Sequence, residues 1–285
     1  MLSEKVFRET ILNRVRKIMT EIKKMITISE IVSYLYCPRK LYLSVVKGIR
    51  GPPNRLMMEG KLRHNILESF SNREENLVNQ IIKNQELEEL LLTYQVFLRE
   101  IAREIFIKNN NLIESFSIDR TELFKKILQN FEEDMKIRVL SIKQGISKGF
   151  FGEELWKNLK PKYISEMKLE SEILGLKGRI DRVEFNEDKI IPYELKSRDN
   201  KIFFSDEIQL TAYAMLLEEN YKKIISEGMI ECSGKKQKTE IKEENKIIVL
   251  DIAEKIRNID KNVPEMPSNF GKCSKCDLRE ECLRV

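Results

Sequence analysis

Two acids and a lysine in the middle of the chain have the types and spacing of a divalent-metal site. Glu-x-Lys triplets recur here, at Glu21/Lys23, Glu166/Lys168, Glu187/Lys189, Glu194/Lys196 and Glu240/Lys242, as a heavily charged chain would produce. Only Glu194 follows an apolar run, Ile190-Ile191-Pro192-Tyr193, that reads as a buried strand, and only it has an isolated acid, Asp181, on the strand before. If these strands pair across a turn at Glu187-Asp188 or Asn186–Lys189, opposed positions sum to 375 and Asp181 lies opposite Glu194. Lys196 then shares their face, because side chains alternate along a strand. Opposed carboxylates repel, and a divalent cation with oxygen ligands turns that repulsion into binding. Lys196 would sit beside the scissile phosphate or the attacking water as a charge stabiliser. The plain alternative is a surface hairpin with incidental charges, and a bulge would move Asp181 to the other face.

Three further residues stand near this constellation in the reading. Gln209 and Tyr213 are four apart on an expected helix, so they share a face and suit phosphate oxygens and a sugar or base; ordinary helix-surface packing gives the same spacing. His64 is the only histidine, on an expected helix face with Gly60 and Glu68. A lone helical histidine is commonly structural, yet imidazole also suits manganese-like metals.

Cys273, Cys276 and Cys282 form C-x2-C-x5-C near the end of the chain, and Cys37 stands near its start. Four thiolates suit a structural zinc or an iron–sulfur cluster. The isolation of Cys37 by more than two hundred residues favours the cluster, acting as a clasp on the chain ends. Cys232 falls inside an expected hairpin and reads as a buried apolar residue.

The elements that must position these groups follow from periodicity. Helices are expected over Ser3–Met25, after Thr27 (whose spacing to Glu30 matches a capping box) with a break or kink at Pro38, and over Leu56–Phe70. Several more fill residues 76–158. The period then changes to strands at Tyr163–Leu174, Leu176–Phe185 and Lys189–Ser197, with a turn at Gly175. A helix over Ser205–Tyr221, a hairpin of Gly228–Cys232 and Lys238–Lys242 around Ser233-Gly234, and a helix over Asn245–Ile259 complete the list. The Lys/Glu run at 235–246 reads as a solvated hairpin tip.

The 285 residues carry a net charge of +5, with 34% charged and 41% hydrophobic residues, enough apolar content for a core and too balanced for a disordered tail. No apolar run reaches the length of a membrane span and no signal-peptide pattern opens the chain, so a cytoplasmic location is expected. Five cysteines in such a chain point to metal or redox use rather than a disulfide scaffold.

Taken together, Ile28–Tyr42 (ISEIVSYLYCPRKLY), Gly60–His64 (GKLRH), Gly178–Asp181 (GRID), Tyr193–Lys196 (YELK), Gln209-x-x-x-Tyr213 and the cysteine triplet resemble the CRISPR-associated RecB-like exonuclease family, a 4Fe–4S-containing branch of the PD-(D/E)xK nucleases. The resemblance covers roughly Thr27–Gly60 and Lys162–Val285. It implies a mixed α+β, restriction-endonuclease-like core with a large helical insertion and a lobe where an iron–sulfur cluster clasps the N- and C-terminal segments. It also implies a 4Fe–4S cluster on Cys37, Cys273, Cys276 and Cys282, and a manganese or magnesium site on His64, Asp181, Glu194 and the Leu195 carbonyl. Lys196 would be the catalytic lysine, and Gln209 and Tyr213 the family's Q-x-x-x-Y motif. The activity implied is cleavage of single-stranded DNA or DNA ends, commonly 5′ to 3′ exonucleolytic, trimming fragments for a CRISPR integrase. Expected regions are 1–70 (helical, with Cys37 and His64), 71–160 (helical insertion), 161–250 (nuclease core) and 251–285 (last helix and cysteine tail). The insertion and the N-terminal addition depart from the family pattern and suit a lid or a docking surface. Two other readings are a RecB-like iron–sulfur nuclease of DNA repair and a non-catalytic subunit that docks DNA ends. A redox-sensing regulator, binding DNA without hydrolysis, is a third.

Overall fold

The computed structural model describes residues 24–196, 198, 201–232, 235–266, 270–274 and 276–285. Of the helix expected over Ser3–Met25, residues 3–23 lie outside these; Lys24 and Met25 are irregular.

A short strand β1 (Ile26–Thr27) leads into α1 (Ile28–Tyr36). The capping box forms as its spacing predicts: Glu30 N donates to Thr27 Oγ1 at 3.1 Å, and Thr27 N donates to Glu30 Oε2 at 2.7 Å. Pro38 ends this helix and opens α2 (Pro38–Val45), because a proline at the first helical position has no N–H to leave unpaired. Between them Cys37 caps α2, its Sγ accepting from Lys40 N at 3.4 Å.

The next helix, α3, runs Arg55–Asn79 rather than stopping at Phe70, since no glycine or proline interrupts Ser71–Asn79. It is followed by α4 (Leu87–Lys108), α5 (Asn110–Glu114), α6 (Arg120–Gln129), α7 (Glu132–Ser147) and α8 (Gly152–Asn158). These helices share an apolar core that includes Leu62, Ile66, Tyr94, Ile101, Phe106 and Ile142. Inside it Arg138 forks onto Glu74 at 2.6 and 2.8 Å, and the Tyr94 hydroxyl donates to the same carboxylate at 3.0 Å. A buried charge needs such company, and here it ties α3, α4 and α7 together.

The remaining elements are β2 (Lys162–Ser171), β3 (Leu176–Phe185), β4 (Ile190–Lys196), α9 (Phe204–Tyr221), β5 (Glu227–Cys232), β6 (Lys235–Glu240), α10 (Glu243–Arg257), α11 (Phe270–Cys273) and α12 (Arg279–Leu283). The second hairpin strand begins at Lys235, not Lys238: Cys232 pairs directly with Lys235, so the ladder resumes at once after the turn. The turn itself, at 233–234, lies outside the described residues. The expected mixed α+β architecture is present as a six-stranded mixed sheet, ordered β1-β3-β4-β5-β6 with β2 on the other edge of β3. On one face α1, α9 and α10 pack with Ile180, Val183 and Ile190; Tyr193 and Leu195 point the other way, into the helical core. Gly178 permits the first packing, because a Cβ there would lie 2.6 Å from Ile28 Cδ1. No helix among the described residues is long and apolar enough to cross a membrane.

Candidate active site

The site sits where the sheet opens. β1 pairs with β3 only at Leu176 and Lys177, and β4 pairs with it only from Arg182 to Phe185. Residues 178–181 of β3 therefore have no strand along that edge. The β3–β4 register pairs Arg182 with Tyr193 and Phe185 with Ile190, positions that sum to 375 as the turn arithmetic requires. Asp181 and Glu194 are the next pair in that register. There the ladder gives way to a side chain: Leu195 N donates to Asp181 Oδ2 at 2.8 Å. Both acids are buried, Asp181 to 7% and Glu194 to 2% exposure.

Lys196 follows on the same strand. Its Nζ lies 2.5 Å from Glu194 Oε1 and 3.6 Å from Asp206 Oδ1, and it donates to Gln209 Oε1 at 3.0 Å. Gln209 Nε2 in turn donates to the Tyr213 hydroxyl at 2.8 Å. The two residues of the Q-x-x-x-Y spacing thus share one face of α9, and that face is buried against the lysine. Behind Lys196, Arg63 donates to its carbonyl at 3.3 Å and is held by a buried ion pair with Glu231 on β5.

His64 reaches the acids from α3. Its Nδ1 lies 2.5 Å from Glu166 Oε1 on β2 and 3.7 Å from Asp181 Oδ1. His64, Glu166 and Asp181 offer ligand atoms within 4.8 Å of one another. Glu166 is the residue that sequence reasoning missed, set aside with the incidental Glu-x-Lys triplets. The observed ladder pairs Ser165 with Arg182 and Met167 with Ile180 and so sets Glu166 opposite Asp181, a register that the expected turn at Gly175 does not give.

The electrostatics are those of a crowded anionic centre. Burial, and then the charge of Asp181, pushes the Glu194 carboxyl up to about 8. Burial likewise raises Asp181, against the pull of His64 and the Leu195 amide. For His64, burial opposes the charged ring, but the Glu166 hydrogen bond and the charges of Asp181, Glu166 and Glu194 outweigh it and hold the imidazole above its usual range. Lys196 is raised in the same way: burial opposes its charge, and Glu194 overrides it. Glu194 Oε2 is buried with no well-formed hydrogen bond. A buried carboxylate oxygen left in that state is costly, and a cation is the partner that suits it.

This centre forms one wall of a cavity of about 820 Å³. Lys61, Lys168, Lys177 and Arg179 line it together with His64 and Asp181. A concave site that presents Asp181 among four cations suits a polyanion cleaved at a metal.

The segments that carry the cysteines meet elsewhere, though among the described residues no three of their thiols lie within 4.8 Å of one another. Arg39, on α2 just after Cys37, donates to Cys282 Sγ at 3.2 Å and to the Cys282 carbonyl at 3.1 Å. Lys40 pairs with Asp277 at 2.5 Å, and Cys276 N donates to the Cys273 carbonyl at 3.2 Å. All four thiols are half-buried and free of disulfides, while Cys232 is buried in the sheet at 3% exposure, as its position in an apolar strand predicts.

Comparison with known proteins defines the class. The sequence profile of the PD-(D/E)XK nuclease superfamily matches residues 25–283, and the chain belongs to that superfamily. A curated relative, the CRISPR-associated exonuclease Cas4/endonuclease Cas1 fusion of Leptospira interrogans serogroup Icterohaemorrhagiae serovar Lai (strain 56601), is 33% identical over 150 residues. That match covers 47% of this chain and spans only 28% of the relative's length. Both findings agree with the RecB-like resemblance read from the motifs. The solved structure described as "Crystal structure of SSO0001" is similar over 98% of this chain and 96% of that one, with 14% identity and a TM-score of 0.35.

Proposed function

We propose that this nuclease is a metal-dependent exonuclease of single-stranded DNA, working 5′ to 3′, that trims DNA fragments before a CRISPR integrase inserts them. The observation that carries the reading is that Asp181 and His64, 3.7 Å apart, open onto a cavity lined by cations, with the Lys196–Glu194 pair buried behind them. Asp181, Glu194, His64 and the Leu195 carbonyl would hold Mn2+ or Mg2+, and the repelling buried acids, with Glu194 Oε2 lacking a well-formed hydrogen bond, fit such an ion. When bound, the ion would polarise the phosphoryl oxygen and make a water more acidic.

The chain's own groups do the rest. Lys196 holds a positive charge where the phosphoryl oxygens gain negative charge in the transition state. Gln209, anchored by Tyr213, fixes the Lys196 rotamer, and Arg63 fixes the backbone from which that side chain leaves. Lys61, Lys168, Lys177 and Arg179 draw in the phosphate backbone, so affinity should fall steeply with salt. Cys37, Cys273, Cys276 and Cys282 would carry a 4Fe–4S cluster with an architectural task, fastening the segments at the two ends of the fold. The helices of 71–160 would act as an accessory lobe on the 161–250 core. The joining of an exonuclease Cas4 to an endonuclease Cas1 in the Leptospira relative supports a Cas1-like endonuclease as partner.

The pH dependence has a definite sign. With its carboxyl raised from the ordinary 4.5 to about 8 in the fold, Glu194 favours folding below pH about 4.5, and that contribution is lost as pH rises through about 8. Metal-free protein should therefore lose stability across this window, while the ion needs the ionised acid. The gain in melting temperature on replacing EDTA with Mn2+ should grow from pH 5.5 to 8.5; a gain that stays flat contradicts the assignment.

Single-stranded DNA labelled at either end, incubated with purified protein and Mn2+, tests the function. The expected result is stepwise loss of the 5′ label as mononucleotides or short oligonucleotides. Binding without cleavage would convert the reading to a docking subunit, and cutting of circular single strands would replace exonuclease with endonuclease.

A further inference from the structure

Glu166 is buried, with a side-chain exposure of 2%, and it occupies a conformation that a strand residue with a Cβ avoids, with φ at +57°. Strain at one residue is retained where surrounding contacts hold it. Here its carboxylate is divided between two partners. Oε1 lies 2.5 Å from His64 Nδ1, and Oε2 lies 2.6 Å from Arg179 Nε on β3. Arg179 and His64 both line the cavity. A carboxylate on Nδ1 holds the proton on that nitrogen and leaves Nε2 as the ring's free donor atom.

We propose that Glu166 is a positioning residue that orients the His64 imidazole for the divalent ion and, through its second oxygen, anchors Arg179 at the cavity mouth where a phosphate would pass. The left-handed backbone at position 166 turns this side chain toward α3, where a regular strand residue would follow the alternation of its neighbours. The inference rests on the metal-dependent reading above, and it assigns Glu166 to the support of the site rather than to its ligand set.

The single histidine makes the test direct. Protein labelled with 15N-histidine gives the signal of one ring, His64. In alkaline, metal-free buffer, where the ring is neutral, the wild type should show its proton on Nδ1. Glu166→Gly, which suits the left-handed backbone, should shift the proton largely to Nε2. Mn2+ affinity, read by electron paramagnetic resonance of the free ion, should fall about tenfold or more. Glu166→Gln keeps an acceptor for Nδ1–H, so it should retain the tautomer and lose less affinity. In a His64→Ala background, Glu166→Gly should change Mn2+ affinity by less than about twofold, since residues acting through one another are not additive.

An unchanged tautomer with unchanged Mn2+ affinity in folded Glu166→Gly overturns the proposal. So does a further tenfold loss in the His64→Ala background, which would make Glu166 a direct ligand. If the glycine variant does not fold, a wild-type ring that carries its neutral-form proton on Nε2 overturns it as well. Wild-type protein that binds no Mn2+ would refute the metal-dependent reading itself, a distinct outcome.

Discussion

Asp181→Asn protein loses DNA cleavage by about 10³-fold, on the scale of removing a preorganised charge-stabilising group, yet melts no lower than the wild type in EDTA. The two halves of this expectation have one cause. Without a cation, Asp181 and Glu194 are buried acids forced together, and burial raises both carboxyls. An amide of the same shape removes the repulsion, and its oxygen still accepts the Leu195 amide. Stability is therefore kept or gained while a ligand for the ion is lost, the usual trade at a site built for chemistry. Lys196→Ala should lose activity by about 10²- to 10³-fold and leave Mn2+ binding nearly unchanged, because the lysine touches Glu194 Oε1 and Gln209 rather than replacing the ion. Turnover on end-labelled single strands, paired with melting curves in EDTA, checks both. Full activity in Asp181→Asn would refute the site.

Cys273→Ser protein, purified without oxygen, carries no stoichiometric iron and melts about 10–20 °C lower than the wild type. Cys37 and Cys273 are separated by more than two hundred residues, and joining points that far apart limits the unfolded chain by about 5 kcal/mol on a loop-closure estimate. In a chain of this size each kcal/mol moves the midpoint by about 2–4 °C. The contacts that remain at the clasp are the Arg39 hydrogen bonds to Cys282 and the Lys40–Asp277 pair, and exposed pairs contribute little. Cys232→Ala, in the sheet, should keep its iron. One zinc and no iron in the wild type, or a Cys273→Ser protein that melts as the wild type does, would contradict the cluster assignment.

Much of the architecture was legible because local rules specify it. The capping box at Thr27, the break at Pro38 and the 375 register are consequences of two- to four-residue patterns, and each recurs in the structure. The gathering of Gln209 and Tyr213 on one helix face follows from spacing as well. What they touch does not, and α9 turns out to pack that face onto Lys196. The length of α3 was underestimated because residues 71–76 include no apolar side chain, and the tertiary contact of Glu74 with Arg138 supplies what periodicity lacks. Glu166 escaped notice for a different reason: nothing in a sequence marks a left-handed residue inside a strand when that residue is not glycine. Its partners His64 and Arg179 come from a distant helix and a neighbouring strand, so only the folded chain brings the three together.

Diffraction from crystals grown with Mn2+, recorded at the manganese absorption edge, bears most directly on the central claim. The expected map has one strong anomalous peak bounded by the carboxylates of Asp181 and Glu194 and the imidazole of His64, with the Lys196 ammonium beside it. A map with no peak there, in protein that still degrades single-stranded DNA with Mn2+, would contradict the account.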